Sequence, residues 1–335
     1  MGTWRIGTDA LARSRFAVSA LAETVSALKS LNTGIVVPGQ RDWLATHAPG
    51  YRERIAADPF ARALVRAAFR PRWVADFLTS PPAGPEETFA DELARVRATP
   101  PEAARAELDG GPAAPLPAEL AVPDLPDRAA ELLGWIWTRT VEPDWSRRRR
   151  ILEADIVSRT QQLSSGGWAS TLDGMRPGMR WLGDGRLQVN NYDLPAKDLA
   201  GAQLLFIPST NHRGWLGSAG SDRHSIVYPC TGILADPADR QPPRALSRLL
   251  GPVRAGILTL LDSPKSPTQL VALTGYGYGS VGGHLQVLLD AQLVRRRRSG
   301  RSVLYFRTAA GDLLVGAQHR DADPSGLPRQ SPPIH

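Results

Sequence analysis

Between Leu246 and Arg307, helix caps, apolar stripes and a hairpin turn follow one another so closely that only short helices and a two-stranded ribbon fit the run. Leu246, Leu249 and Leu250 make a short apolar face, Gly251 can end that helix, and Pro252 can open the next at its first position. The next helix places Val253, Ile257, Leu260 and Leu261 on one stripe. Ser266, Pro267, Thr268 and Gln269 read as a capping box with proline in the first turn, in which the Ser hydroxyl and the Gln amide each satisfy the other's backbone N–H. The helix that follows buries Leu270 and Leu273 and stops at Gly275. After a four-residue turn, Val281, Leu285, Leu288, Leu289 and Leu293 recur at helical spacing, which predicts a helix over about 279–292. Residues 294–298 and 301–307 flank a Ser299-Gly300 turn, with Val303 and Tyr305 on one face of the hairpin and Leu304 and Phe306 on the other.

Charge is concentrated in the same region. The chain has 40 Lys and Arg against 33 Asp and Glu, a net charge of +7. The last 95 residues hold 12 of the basic but only five of the acidic residues, so the first 240 balance at 28 of each. A neutral large part joined to a basic small part is the footprint expected where only the small part meets a polyanion.

At 335 residues the chain exceeds the usual size of one domain. The expected division is an N-terminal effector or dimerisation domain over 1–238, a second domain over 239–320 and a disordered tail over 321–335. No apolar run approaches the ~18 residues that span a bilayer. Met1 to Ile6 has Arg5 but no apolar core of a secretory signal behind it, so a cytoplasmic protein without a membrane partner is expected. The single cysteine, Cys230, allows neither an intrachain disulfide nor a multi-thiolate metal site.

The N-terminal part reads as α+β and mainly helical. Ser19 can cap a helix carrying Leu21, Val25 and Leu28, and a second helical stretch covers 59–78. Ten prolines between 80 and 127 leave room only for short helices, which predicts an irregular, partly mobile connection. Helices resume over 127–140 and 143–163, and strands follow at 179–182, 186–189, 203–207 and 225–228, the first two as a hairpin about Gly183, Asp184 and Gly185.

Three helices followed by a basic hairpin is the winged helix-turn-helix arrangement, whose second helix of the pair enters the major groove of DNA. The run from Leu250 to Arg307 resembles the DNA-binding domain of ArsR-like winged-helix regulators. The resemblance is carried by Arg254, Ile257 and Leu258 in the first helix, the Thr274-Gly275 turn, and Val281, His284 and Leu285 in the recognition helix. It extends to Ala291, Gln292, Leu293 and Val294, where the family reads Ala-Gly-Leu-Val, and to Arg297, Arg298, Gly300, Arg301 and Tyr305 in the wing. The N-terminal part resembles the long domain of unassigned function that precedes such a module in regulators from high-GC, actinobacterial sources. Gly277, Gly279, Gly282 and Gly283 depart from the family, which usually carries polar residues there, and each interior glycine costs a helix about 1 kcal/mol relative to Ala.

The resemblance implies a DNA-binding transcriptional regulator, most simply a repressor acting as a homodimer on double-stranded DNA. Thr268, Gln269, Tyr278, Ser280, Gly282, Gly283, His284 and Gln286 are the candidates for the groove, and Arg295, Arg296, Arg297, Arg298 and Arg301 for the phosphates. A second arginine run, Arg147 to Arg150, has Glu153 and Asp155 close by and reads as solvated helix surface. The scattered histidines supply no spaced ligand set, so neither metal nor cofactor is expected. The tryptophans read first as core, with a pocket for an unidentified small-molecule effector as the sharper alternative, and Ser209 to Trp215 as a polar segment that could line it. The competing class is an enzyme or small-ligand-binding domain with an appended winged helix. Against catalysis, the sequence has no Gly-rich phosphate loop, nucleophile elbow or His-Glu-x-x-His pair.

Overall fold

A computed structural model describes residues 2–35, 40–71, 73–84, 87–111, 115–192, 195–210, 214–230, 242–261, 265–299 and 302–320. The fold is mixed α/β and mainly helical with small sheets, and the chain separates into two compact units, Met1–Asp236 and Pro237–His335.

The N-terminal unit runs β1 (Thr3–Arg5), α1 (Thr8–Arg13), β2 (Arg15–Phe16), α2 (Ala20–Thr33), α3 (Arg41–Ala57), α4 (Pro59–Ala68), α5 (Phe89–Arg97), α6 (Pro101–Leu108), α7 (Leu125–Ile136) and α8 (Trp145–Leu172). Strands β3 (Arg180–Gly183), β4 (Arg186–Gln188), β5 (Lys197–Asp198), β6 (Gln203–Ser209), β7 (Trp215–Ala219) and β8 (Arg223–Pro229) follow. One sheet has the order β3-β4-β1-β5 and the other β2-β6-β8-β7, with β6 parallel to both β2 and β8. Side chains alternate across a strand, and both faces of β6 are covered. Leu205 and Ile207 join the helical core of α2, α4, α5 and α7, whereas Leu204 and Phe206 join Trp4, Met175, Met179, Ile226 and Tyr228 on the opposite side. A strand buried on both sides reads as the unbroken apolar run Leu204 to Ile207 rather than as an alternation.

Several expectations change here. The stretch 59–78 is not one helix: α4 ends at Ala68, and a separate 3₁₀ turn forms at Asp76–Leu78. The proline-rich segment 80–127 is not a loose connection, because Leu93, Val96, Ala104, Leu108 and Leu120 are buried in the main core. Prolines begin helices as readily as they break them: Pro101 sits in the first turn of α6 and Pro126 in that of α7. Thr88 caps α5 in a reciprocal box with Asp91.

Arg148, expected on a solvated surface, is 2% exposed and donates to Glu23 Oε1 at 2.6 Å, while Arg149 stays outside and pairs with Glu153 at 2.8 Å. Glu23 Oε2 also accepts the Thr210 backbone N–H at 3.0 Å, and the Arg148 guanidinium lies over the Trp43 ring. This pair ties α2, α8 and the end of β6 together, and losing one partner of such a buried pair costs about 3–5 kcal/mol. Trp137 stacks on Phe89 at 4.4 Å and meets Trp145 at 5.3 Å, so these aromatics are core. Asn211, His212 and Arg213 of the polar segment, and the tail 321–335, lie outside the described residues.

The C-terminal unit consists of α9 (Arg244–Leu250), α10 (Pro252–Leu260), α11 (Pro267–Thr274), α12 (Tyr278–Asp290), the antiparallel strands β9 (Val294–Ser299) and β10 (Ser302–Arg307), and α13 (Ala309–Arg320). Its own core is Leu246, Ala255, Ile257, Leu258, Leu261, Leu270, Val281, Leu285, Leu288, Leu293, Val294 and Val315. Gly251, at φ 81°, separates α9 from α10 in a conformation that a side chain would strain.

Candidate nucleic-acid interface

The second helix of the α11–α12 pair is fixed from beneath. Val281, Leu285 and Leu288, at i, i+4 and i+7, are buried in the unit's core, so the opposite side of α12 faces solvent. Tyr278, Ser280, Gly283 and Gln286 are exposed, and Gly282 and His284 are half-buried at the flank. The three interior glycines have open space where a Cβ would stand, so they leave the outer face of α12 low and unobstructed. Gln286 Nε2 donates to Asp290 Oδ1 at 2.8 Å, one turn along the same exposed face.

Helix α11 starts with both halves of its capping box made. The Gln269 N–H donates to Ser266 Oγ at 3.2 Å, and the Ser266 N–H donates to Gln269 Oε1 at 2.7 Å. Gln269 is therefore buried and committed to the cap, which removes it from any surface that Thr268, exposed one residue earlier, can offer a ligand. The sequence carries this signal, because a capping glutamine at the third helical position points back to its own backbone.

The hairpin is anchored rather than free-standing. The Lys265 N–H donates to the Tyr305 carbonyl at 2.9 Å and the Tyr305 N–H donates back to the Lys265 carbonyl at 2.8 Å, so the ribbon gains a third short partner. Across it Arg295 pairs with Phe306, Arg296 with Tyr305, Arg297 with Leu304 and Arg298 with Val303. Paired residues share a face, so two arginines lie on each side of the ribbon, and all four are exposed. Among the described residues none of the four has an acidic partner. Arg307 differs: it pairs with Asp312 at 2.7 Å and reaches the carbonyls of Leu258 and Thr259, which makes it a brace between β10, α10 and α13. Arg301, the fifth expected phosphate ligand, lies outside the described residues.

The turn from α12 into the ribbon is made by Gln292 at φ 55°. The Gln292 N–H donates to Leu289 O at 2.9 Å and the Leu293 N–H to Leu288 O at 3.0 Å, which closes the helix end and aims Val294 into the core. Among the described residues no three His, Cys, Asp or Glu side chains gather where they could hold a metal ion. No helix among them is long and apolar enough to cross a membrane. No protein-family model matches the chain, and no curated protein or solved structure shows significant similarity to it.

Proposed function

We propose that this chain is a transcriptional regulator, acting as a repressor, whose C-terminal unit is a winged helix-turn-helix of the ArsR-like kind that binds duplex DNA. In this reading α12 is the recognition helix and the β9–β10 ribbon is the wing. The observation that carries it is the set Arg295, Arg296, Arg297 and Arg298: four adjacent guanidinium groups, exposed, without acidic partners among the described residues, on a ribbon bonded to its own unit. Unneutralised like charges held this close repel one another, and a phosphate backbone relieves that repulsion by charge-assisted hydrogen bonds. The low glycine face of α12 admits a close approach of the groove, with Tyr278, Ser280 and Gln286 as the side chains that reach base edges.

The wing and the helix make separable contributions. Each lost phosphate contact should reduce the slope of log affinity against log salt by about 0.9. The test is an anisotropy titration of the full chain on an operator selected from random duplexes, over a salt series. Arg297→Ala with Arg298→Ala should flatten the salt slope while keeping sequence preference. Gln286→Ala should keep the slope and lose about 1–3 kcal/mol of operator binding. An unchanged salt slope in the double variant, or no duplex enriched by the wild-type chain, would reject the reading.

A further inference from the structure

A pocket of about 790 Å³ in the N-terminal unit is walled by Arg159, Arg176 and Arg180, with Gln188, Asn191 and Cys230 completing its polar lining. Three guanidinium groups on one pocket, with no carboxylate among its described lining residues, are the opposite of what an idle surface needs. Arg159 has a nearby counter-charge, Asp155 at 3.7 Å, and lies over the Tyr228 ring. Arg176 and Arg180 have no acidic partner among the described residues. Among the described residues the Arg176 head group donates to two backbone carbonyls, of Val189 and Gly214, both at 3.4 Å, and its Nε has no partner there. Burial also pushes its pKa down, which is the penalty of a cation held from water without an anion.

The loop that presents these groups is built to be stiff. Gly174 and Gly178 take left-handed φ of 69° and 79° on either side of Pro177. The Gly174 N–H donates to Met179 O at 3.2 Å and the Met179 N–H to Arg176 O at 3.1 Å, while the Met175 and Met179 side chains are buried beneath. The two methionines fix the loop backbone to the core, and the two carbonyl bonds hold the Arg176 head group at the pocket before any ligand arrives. On β4, directly across the strand pair from Arg180, Gln188 Nε2 donates to Asn191 Oδ1 at 2.6 Å, which orients the Asn191 amide.

We infer that this pocket binds a small organic anion through oxyanion groups, phosphate or paired carboxylates, gripped by Arg176 and Arg180 with Arg159 behind them. Guanidinium forks match the geometry of both oxyanions, and a donor already held in place, as Arg176 is, loses little freedom on binding. The inference does not depend on DNA binding.

Calorimetric titration of the full chain with inorganic phosphate and, separately, with citrate tests it, at constant ionic strength set by chloride. Saturable binding of either probe is expected, and the tighter of the two tells a phosphate site from a polycarboxylate site. Arg176→Gln and Arg180→Gln should each weaken binding by about tenfold. Arg149→Gln, on an exposed helix surface away from the pocket, should leave it unchanged. Arg180 is exposed at the rim, so its variant decides the matter even where Arg176→Gln does not fold. No saturable binding of either anion up to about 10 mM would overturn the assignment. Wild-type affinity in the Arg180 variant, or equal weakening in the Arg149 variant, would overturn it as well.

Discussion

Glu92 stands 1% exposed at the start of α2, where its carboxylate accepts the Ser19 hydroxyl at 2.6 Å and the Leu21 N–H at 2.7 Å. Burial outweighs these two bonds and pushes its pKa up to about 7 from an ordinary 4.5. Between those values the folded chain keeps a proton that the unfolded chain has released, so unfolding sheds a proton there. Stability from this group is full below about pH 4.5 and is lost as the pH rises through about 7. All nine tryptophans lie before residue 236, so tryptophan fluorescence in urea reads the N-terminal unit alone. Its unfolding midpoint should fall from pH 5 towards pH 7, on the order of 3 kcal/mol in total. Glu92→Gln keeps an acceptor for Leu21 and should flatten that fall; a slope unchanged by the substitution would remove Glu92 as its source. Sequence alone could not find such a residue. Glu92 and Glu23 sit among ordinary surface-like neighbours in the chain, and only the packing of α5 and α8 against α2 takes them and Arg148 out of water.

Elements with strong local signals were legible, and those made by tertiary context were not. The Ser266 capping box, the Gly275 stop at φ 74° and the i, i+4, i+7 stripe of α12 act within a few residues and appear where the sequence puts them. Helix α3 leaves little apolar periodicity in the sequence, because Pro49 stands inside it and it buries only Leu44 and Tyr51. The short strands β1, β2 and β5, of two or three residues, exist only because a neighbouring strand pairs with them. Gln292 is a site where the local rule is broken. A side chain in the left-handed region costs about 1–2 kcal/mol, and glycine gives back about 0.4–1 of that through its freer unfolded chain. Gln292→Gly should therefore stabilise the C-terminal unit by about 0.5–1 kcal/mol. Gly283→Ala should do the same by about 1 kcal/mol, since its Cβ enters open space in mid-helix. The two variants part company on DNA: Gly283→Ala raises the outer face of α12 and should weaken operator binding, whereas Gln292→Gly should leave it unaltered. Calorimetric melting beside anisotropy checks both, and equal operator affinity in the two variants would mean that no DNA lies against Gly283.

At the scale of the whole molecule, the unit boundary divides charge as well as contacts. Residues 237–335 carry the entire net charge of +7, and 1–236 are neutral. On the proposed reading, a basic module of under 100 residues offers one recognition helix, which covers one half-site, and two-fold pairing doubles both the groove contacts and the phosphate contacts. The C-terminal unit has apolar surface available for such pairing. Leu249 on α9 is 67% exposed and Leu313 on α13 is 64% exposed, on two helices that pack against each other. Burying a leucine of this size is worth about 1.5–3 kcal/mol, and symmetry counts each one twice. Light scattering of the full chain at micromolar concentration should give about twice the 36.2 kDa chain mass. Leu249→Glu with Leu313→Glu should shift it towards one chain mass, because four carboxylates would then have to be buried or brought together at the two-fold axis. Operator affinity of that variant should drop while its salt-dependent affinity for scrambled duplex persists, since the wing arginines of each copy remain. A wild-type chain that scatters as a monomer yet binds its operator would discard the dimer. A dimer that survives both glutamates would move the interface away from α9 and α13.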